Sequence, residues 1–170
     1  MIFGVLADTQ GLLTPSQLNA LKKAFKGVDA ILHAGPIGDS RVLEQLGKIA
    51  PTKAVCGNAE ESYVRSDFYV RLAWRVGPVT LGLMHGYGKP HGLKKWLLKQ
   101  FEEEPVQVIV YGRNFEPTAR QIGETYFFSP GSFSGNLPEG SHGKKGPARV
   151  GLLFIHGKKV DGQAGIAVSY

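Results

Sequence analysis

The chain has 170 residues and a mass of 18.4 kDa, the size of one domain with a core of its own. Hydrophobic residues make up 42% and charged residues 20%, which excludes a disordered chain, and no apolar run approaches the ~18 residues of a transmembrane helix. The formal net charge of +6 and the pI near 9.5 permit anionic partners, but the lysines fall in scattered pairs with no arginine-rich stripe among aromatics, so nucleic acid is not expected.

Ile2–Leu6 is an apolar, β-compatible run that ends in Ala7-Asp8-Thr9, the pattern of a buried strand opening into a polar loop. Thr14 and Pro15 then read as the cap and first position of a helix, with Leu18, Leu21 and Phe25 at helical spacing and Gly27 as its stop. Residues 29–34 form the next strand and run into Gly35-Pro36-Ile37-Gly38. Asp39 is expected to cap a second helix carrying Val42, Leu43, Leu46 and Ile49, which Pro51 ends before a short strand at 53–56. This strand–helix–strand–helix–strand order predicts right-handed crossovers and a parallel sheet.

Residues 68–76 and Val79–Met84 flank Gly77-Pro78, a hairpin signal. A helix is expected over 91–103, with Leu93, Trp96, Leu97 and Phe101 on one face, and Trp96 is read as core. A strand follows at 107–111, and further strands at 119–122, 125–128, 149–155 and 159–169. Residues 131–147, rich in Gly, Ser, Pro and Lys, read as a mobile surface loop. No linker or repeat divides the chain, so residues 1–170 are one domain: a four-layer α/β sandwich, two β-sheets face to face with helices outside. The lone Cys56 excludes an internal disulfide and a Cys-rich zinc site. It fits a reducing compartment, and the opening MIFGVLADTQG lacks the basic and long apolar regions of a signal peptide. The location expected is cytoplasmic.

Six strand exits place a polar residue beside glycine, in the order ADTQ, HAGP, GNAE, HGY, YGRNFEP and SPGS. In that order and on those elements, the chain resembles the small calcineurin-like metallophosphoesterases, a phosphodiesterase family. Their pattern is D-x-H, H-x-G-D, G-N-C-D, H-G, G-H-T-H and N-P-G-S. The resemblance spans residues 1 to about 137. It implies two divalent ions that polarise a phosphate and share an attacking hydroxide. Positions 8, 10, 36 and 115 would hold one ion, and positions 36, 58, 85 and 113 the other.

Three of those seven positions match the family: Asp8, Asn58 and His85. The other four do not. Gln10 replaces a histidine, Pro36 the bridging carboxylate, and Arg113 and Phe115 the two histidines of G-H-T-H. Ala59 leaves no side chain to protonate a leaving group. Arg113 sets a permanent cation where a metal would sit, and it could pair with Asp8, directly or through one anion or water. The resemblance and its losses therefore imply a pseudo-enzyme with no cofactor and no confident catalytic residue. Such a protein would bind a protein partner or a phosphate-containing ligand, the anion held by Arg113, Asn58 and His85 with the loop amides of Gly35, Gly57 and Gly131. The alternative is a residual phosphodiesterase using a single weakly bound divalent metal, manganese or similar, at Asp8, Asn58 and His85. Bland readings stand beside these. Asp8 and Asn58 also suit turns, His85 suits a bonded core, and His33 suits a structural hydrogen-bonder. His91, His142 and His156 match no ligand position.

Overall fold

Strand period two decides how this chain layers. The structure, a computed structural model, describes residues 1–57, 69–86, 92–112, 116–135 and 146–170. β1 (Ile2–Leu6) is buried on both faces, so one apolar run serves two cores. Phe3 and Val5 face a second sheet, whereas Leu6 faces helices. Both-sided burial is why this strand reads as continuous apolar sequence and not as an alternation.

β2 (Ala30–His33) and β3 (Thr52–Ala54) extend β1 in parallel, through the crossover helices α1 (Pro15–Ala24) and α2 (Arg41–Gly47). The C-terminal hairpin completes the sheet from the other side. β9 (Ala148–His156) pairs antiparallel with β1 and with β10 (Lys159–Val168), giving the order β10-β9-β1-β2-β3. The second sheet holds β4 (Arg71–Val76), β5 (Val79–Met84), β6 (Val108–Tyr111), β7 (Thr118–Ile122) and β8 (Thr125–Ser129). Its order is β4-β5-β6-β8-β7, with β5, β6 and β8 parallel and the two outer strands antiparallel. α3 (Leu93–Gln100) links β5 to β6 and packs Leu93 and Leu97 on Ile109, Tyr111 and Phe127.

One core therefore lies between the sheets, a second under α1 and α2, and a third under α3. This is the expected four-layer sandwich, and the first three strands share one sheet as expected. Both longer helices end on a phenylalanine seated against a strand glycine. A Cβ on Gly4 would lie 2.7 Å from the Phe25 ring, and one on Gly82 would lie 2.7 Å from the Phe101 ring. Bare backbone at these two points lets each helix end lie flat on its sheet.

Local signals mostly hold. Thr14 closes a capping box on α1, accepting from the Gln17 N–H at 3.3 Å while its own N–H donates to Gln17 Oε1 at 2.8 Å. Three expectations need correction. Ser40, not Asp39, occupies the cap of α2, and Asp39 acts one residue further out. Its carboxylate accepts from the Arg41 N–H at 2.9 Å and pairs with the Arg41 guanidinium at 2.6 Å. The helix expected over 91–103 is confined to Leu93–Gln100, with residue 91 outside the described residues. The segment expected to be a mobile surface loop begins in the core: Gly131, Ser132 and Phe133 are buried, and the Phe133 N–H donates to the Ala7 carbonyl at 2.9 Å. Its residues 136–145 lie outside the described residues. Among the described residues no helix is long and apolar enough to cross a membrane.

Candidate functional site

The parallel strands of both sheets deliver their exits to one end of the sandwich, where α/β folds place their crevices. There the β1 and β2 loops continue the strand ladder past the strands. Ala34 N–H donates to Leu6 O at 2.9 Å, Asp8 N–H to Gly35 O at 2.9 Å, and Gly11 N–H to Ile37 O at 3.0 Å. Asp8 and Gln10 hold positive φ, +61° and +55°, an uncommon state for residues with side chains. The neighbouring Gly38 is at φ +80°, and it passes so close to the Gln10–Gly11 peptide that no Cβ fits between them. Backbone hydrogen bonds and close backbone packing thus hold together two loops from separate strands.

His33 sits inside that lock, fully buried. Its tautomer follows from its partners. The Thr9 hydroxyl donates its only proton to Ile37 O at 2.9 Å, so toward His33 Nε2, also at 2.9 Å, it can only accept. Nε2 therefore carries the ring proton. Nδ1 accepts the Gly35 N–H at 3.0 Å. Both nitrogens are committed with the ring neutral, and burial, aided by the nearby His85, lowers the pKa to about 3. His33 is a structural hydrogen-bonder, as its sequence setting suggests. Thr9, which fixes its tautomer, had no signal in the sequence beyond its place after Asp8.

His85 follows β5 and is buried, and its Nδ1–H donates to Ala34 O at 2.9 Å. The His85 carbonyl accepts the Gly112 N–H at 3.1 Å, which ties the β6 exit to the β5 exit. Gly112 passes against Ala34 O and the His85 ring too closely for any side chain. Asp8, 6% exposed, is anchored through Gly35 and His85 through Ala34. The structure thus brings Asp8 and His85 to consecutive residues of one loop. Pro36 packs on the β3 exit, where a Cβ on Gly57 would meet its ring at 2.9 Å. Asn58, Arg113 and Phe115 lie outside the described residues, and with them the expected Asp8–Arg113 contact.

The model of the calcineurin-like phosphoesterase superfamily domain matches residues 1–160. The chain belongs to this superfamily. A probable metallophosphoesterase of Methanothermobacter thermautotrophicus is 30% identical over 133 residues, covering 78% of this chain and 77% of that protein. Among solved structures, Vps29 from Entamoeba histolytica, complexed with zinc, superposes with a TM-score of 0.72 at 20% identity, covering 94% of this chain and 89% of that one. An archaeal phosphodiesterase superposes with a TM-score of 0.70 at 17% identity, covering 96% and 99%.

At four of the seven positions that the resemblance assigns to the superfamily's two metals, this chain carries residues other than the expected ligands. Two ions need several anionic or imidazole donors and a carboxylate between them. The loop after β2 offers a pyrrolidine ring at the bridging position, packed on Gly57. The loop after β1 offers the amide of Gln10, and the 113–115 segment an arginine and a phenylalanine. Among the described residues no three His, Cys, Asp or Glu side chains converge as a metal site would require.

Proposed function

We propose that this metallophosphoesterase-fold chain has lost two-metal phosphodiester hydrolysis and works by binding a protein partner or an anion at the strand-end site. The observation that carries this reading is Pro36: the bridging carboxylate is replaced by a ring wedged against Gly57, in a loop locked to its neighbour by backbone hydrogen bonds. A water that rescued one terminal ligand could not replace that bridge. Arg113, Asn58 and His85 are the residues we assign to an anion, with Arg113 also the counter-charge of Asp8. We also propose a cytoplasmic setting, which the single cysteine of the chain fits.

A second reading, residual hydrolysis with one weakly held divalent ion, is favoured by His85. With Nδ1–H on a backbone carbonyl, the ring presents Nε2 as its lone-pair nitrogen, the arrangement of metal-binding imidazoles. The two readings separate on bis(p-nitrophenyl) phosphate with excess manganese. We expect no turnover above the buffer rate, and no difference between the wild type and the Asp8→Asn variant. Manganese-dependent turnover abolished by Asp8→Asn would establish the second reading and overturn the first.

A further inference from the structure

A second concave surface opens on the outer side of the second sheet, away from the interface between the sheets. It is a cavity of about 500 Å³ between the start of α3 and β7. Lys94 and Lys95 from α3 and Arg120 from β7 line it, and among the described residues Glu116 is its one acidic lining residue. Arg120 is the cross-strand partner of Phe127, so the two side chains leave the sheet on the same face. Lys94 Nζ lies 6.0 Å from the centre of that Phe127 ring. Lys94 and Arg120 therefore converge from different elements on one spot, and partial burial together with the Arg120 charge lowers the Lys94 pKa. Among the described residues none of the three cations pairs with a carboxylate.

Like charges gathered at one cleft repel until an anion neutralises them. Among the described lining residues, three cations and one carboxylate leave a charge matching a dianion. The cavity exceeds what a bare phosphate fills and falls in the range of small-molecule sites, with Pro117 as apolar wall. We propose that this cavity binds a phosphate monoester, its dianion between Lys94 and Arg120 with Lys95 flanking, and its organic body along Pro117. Its described lining residues include none of those assigned to the strand-end site.

Calorimetric titration of metal-stripped protein with AMP, adenosine and inorganic phosphate tests it. AMP should bind, more weakly as salt rises, and more tightly than phosphate, while adenosine should not bind measurably. The Lys94→Gln/Arg120→Gln double variant should weaken AMP by about tenfold or more, since each lost contact is charge-assisted. Both positions carry surface-reaching side chains, and circular dichroism checks that the variant is folded. The Lys22→Gln/Lys23→Gln double variant, which removes two exposed cations from α1, should leave AMP affinity unchanged. No AMP binding, equal binding of adenosine or of phosphate, or unchanged affinity in the folded Lys94→Gln/Arg120→Gln variant would overturn the proposal. AMP affinity lost in Arg113→Gln but kept in the Lys94→Gln/Arg120→Gln variant would also overturn it, and would place the anion at the strand-end site instead.

Discussion

Folding stability should fall by about 4 kcal/mol as the pH drops from 6.5 to 3 through His33 alone. In the folded chain the ring is neutral, with Nε2–H on Thr9 and Nδ1 accepting from Gly35, and its pKa is held near 3. In the unfolded chain it protonates near the ordinary value of 6.5. The folded pKa is the lower one, so the stabilisation is fully present above pH 6.5. It is lost as pH falls through the window between 6.5 and 3, because only the unfolded chain takes up the proton. Carboxylates add their own acid dependence in the lower part of this range, so the His33 part is read as a difference. Urea unfolding at a series of pH values should show a steep loss for the wild type. The His33→Gln variant should be weaker at pH 7, by about 2–4 kcal/mol, but flatter between pH 6.5 and 4. Parallel pH curves for the two proteins would contradict a neutral, doubly bonded His33.

Gly38→Ala should destabilise the fold by about 2–5 kcal/mol, a large part of a typical domain's stability. Two costs add. Left-handed φ strains any residue with a Cβ, and here the Cβ would also enter the Gln10–Gly11 peptide. The neighbour is backbone and cannot rotate away. Relief would have to part the β1 and β2 loops and break the Gly11–Ile37 hydrogen bond. Gly27 is the control: its φ is +83°, and a Cβ there meets nothing within 4 Å. Gly27→Ala should therefore cost only about 1–2 kcal/mol. Urea midpoints that rank the two alike would show that the loop lock has no packing component.

The layers were legible because burial on two faces leaves apolar runs, and β1 and β2 carry such runs between clear helix signals. The Thr14 cap of α1 was equally legible, since a capping box is local chemistry. The joining of β9 to β1 was not, because a ladder between residues some 150 apart leaves no mark on either strand. The burial of Phe133 was missed for a related reason. A segment of Gly, Ser and Pro looks like surface until its one aromatic is seen docked against the β1 exit and Tyr170. At the site, the order of the strand exits pointed to the superfamily, which the family match shows. What joins the exits was not legible. Thr9, His33 and Ile37 meet through bonds spanning 24 and 28 residues, and Gly112 reveals its role only where it touches Ala34 and His85.

The replacement of the bridging carboxylate by Pro36 is tested most directly by the metal content of the protein. The purified chain would be incubated with excess manganese, dialysed against metal-free buffer and measured by elemental analysis. Loss of the two-metal centre predicts well under one manganese per chain, unchanged in the Asp8→Asn variant. Two manganese ions per chain, reduced by Asp8→Asn, would contradict it.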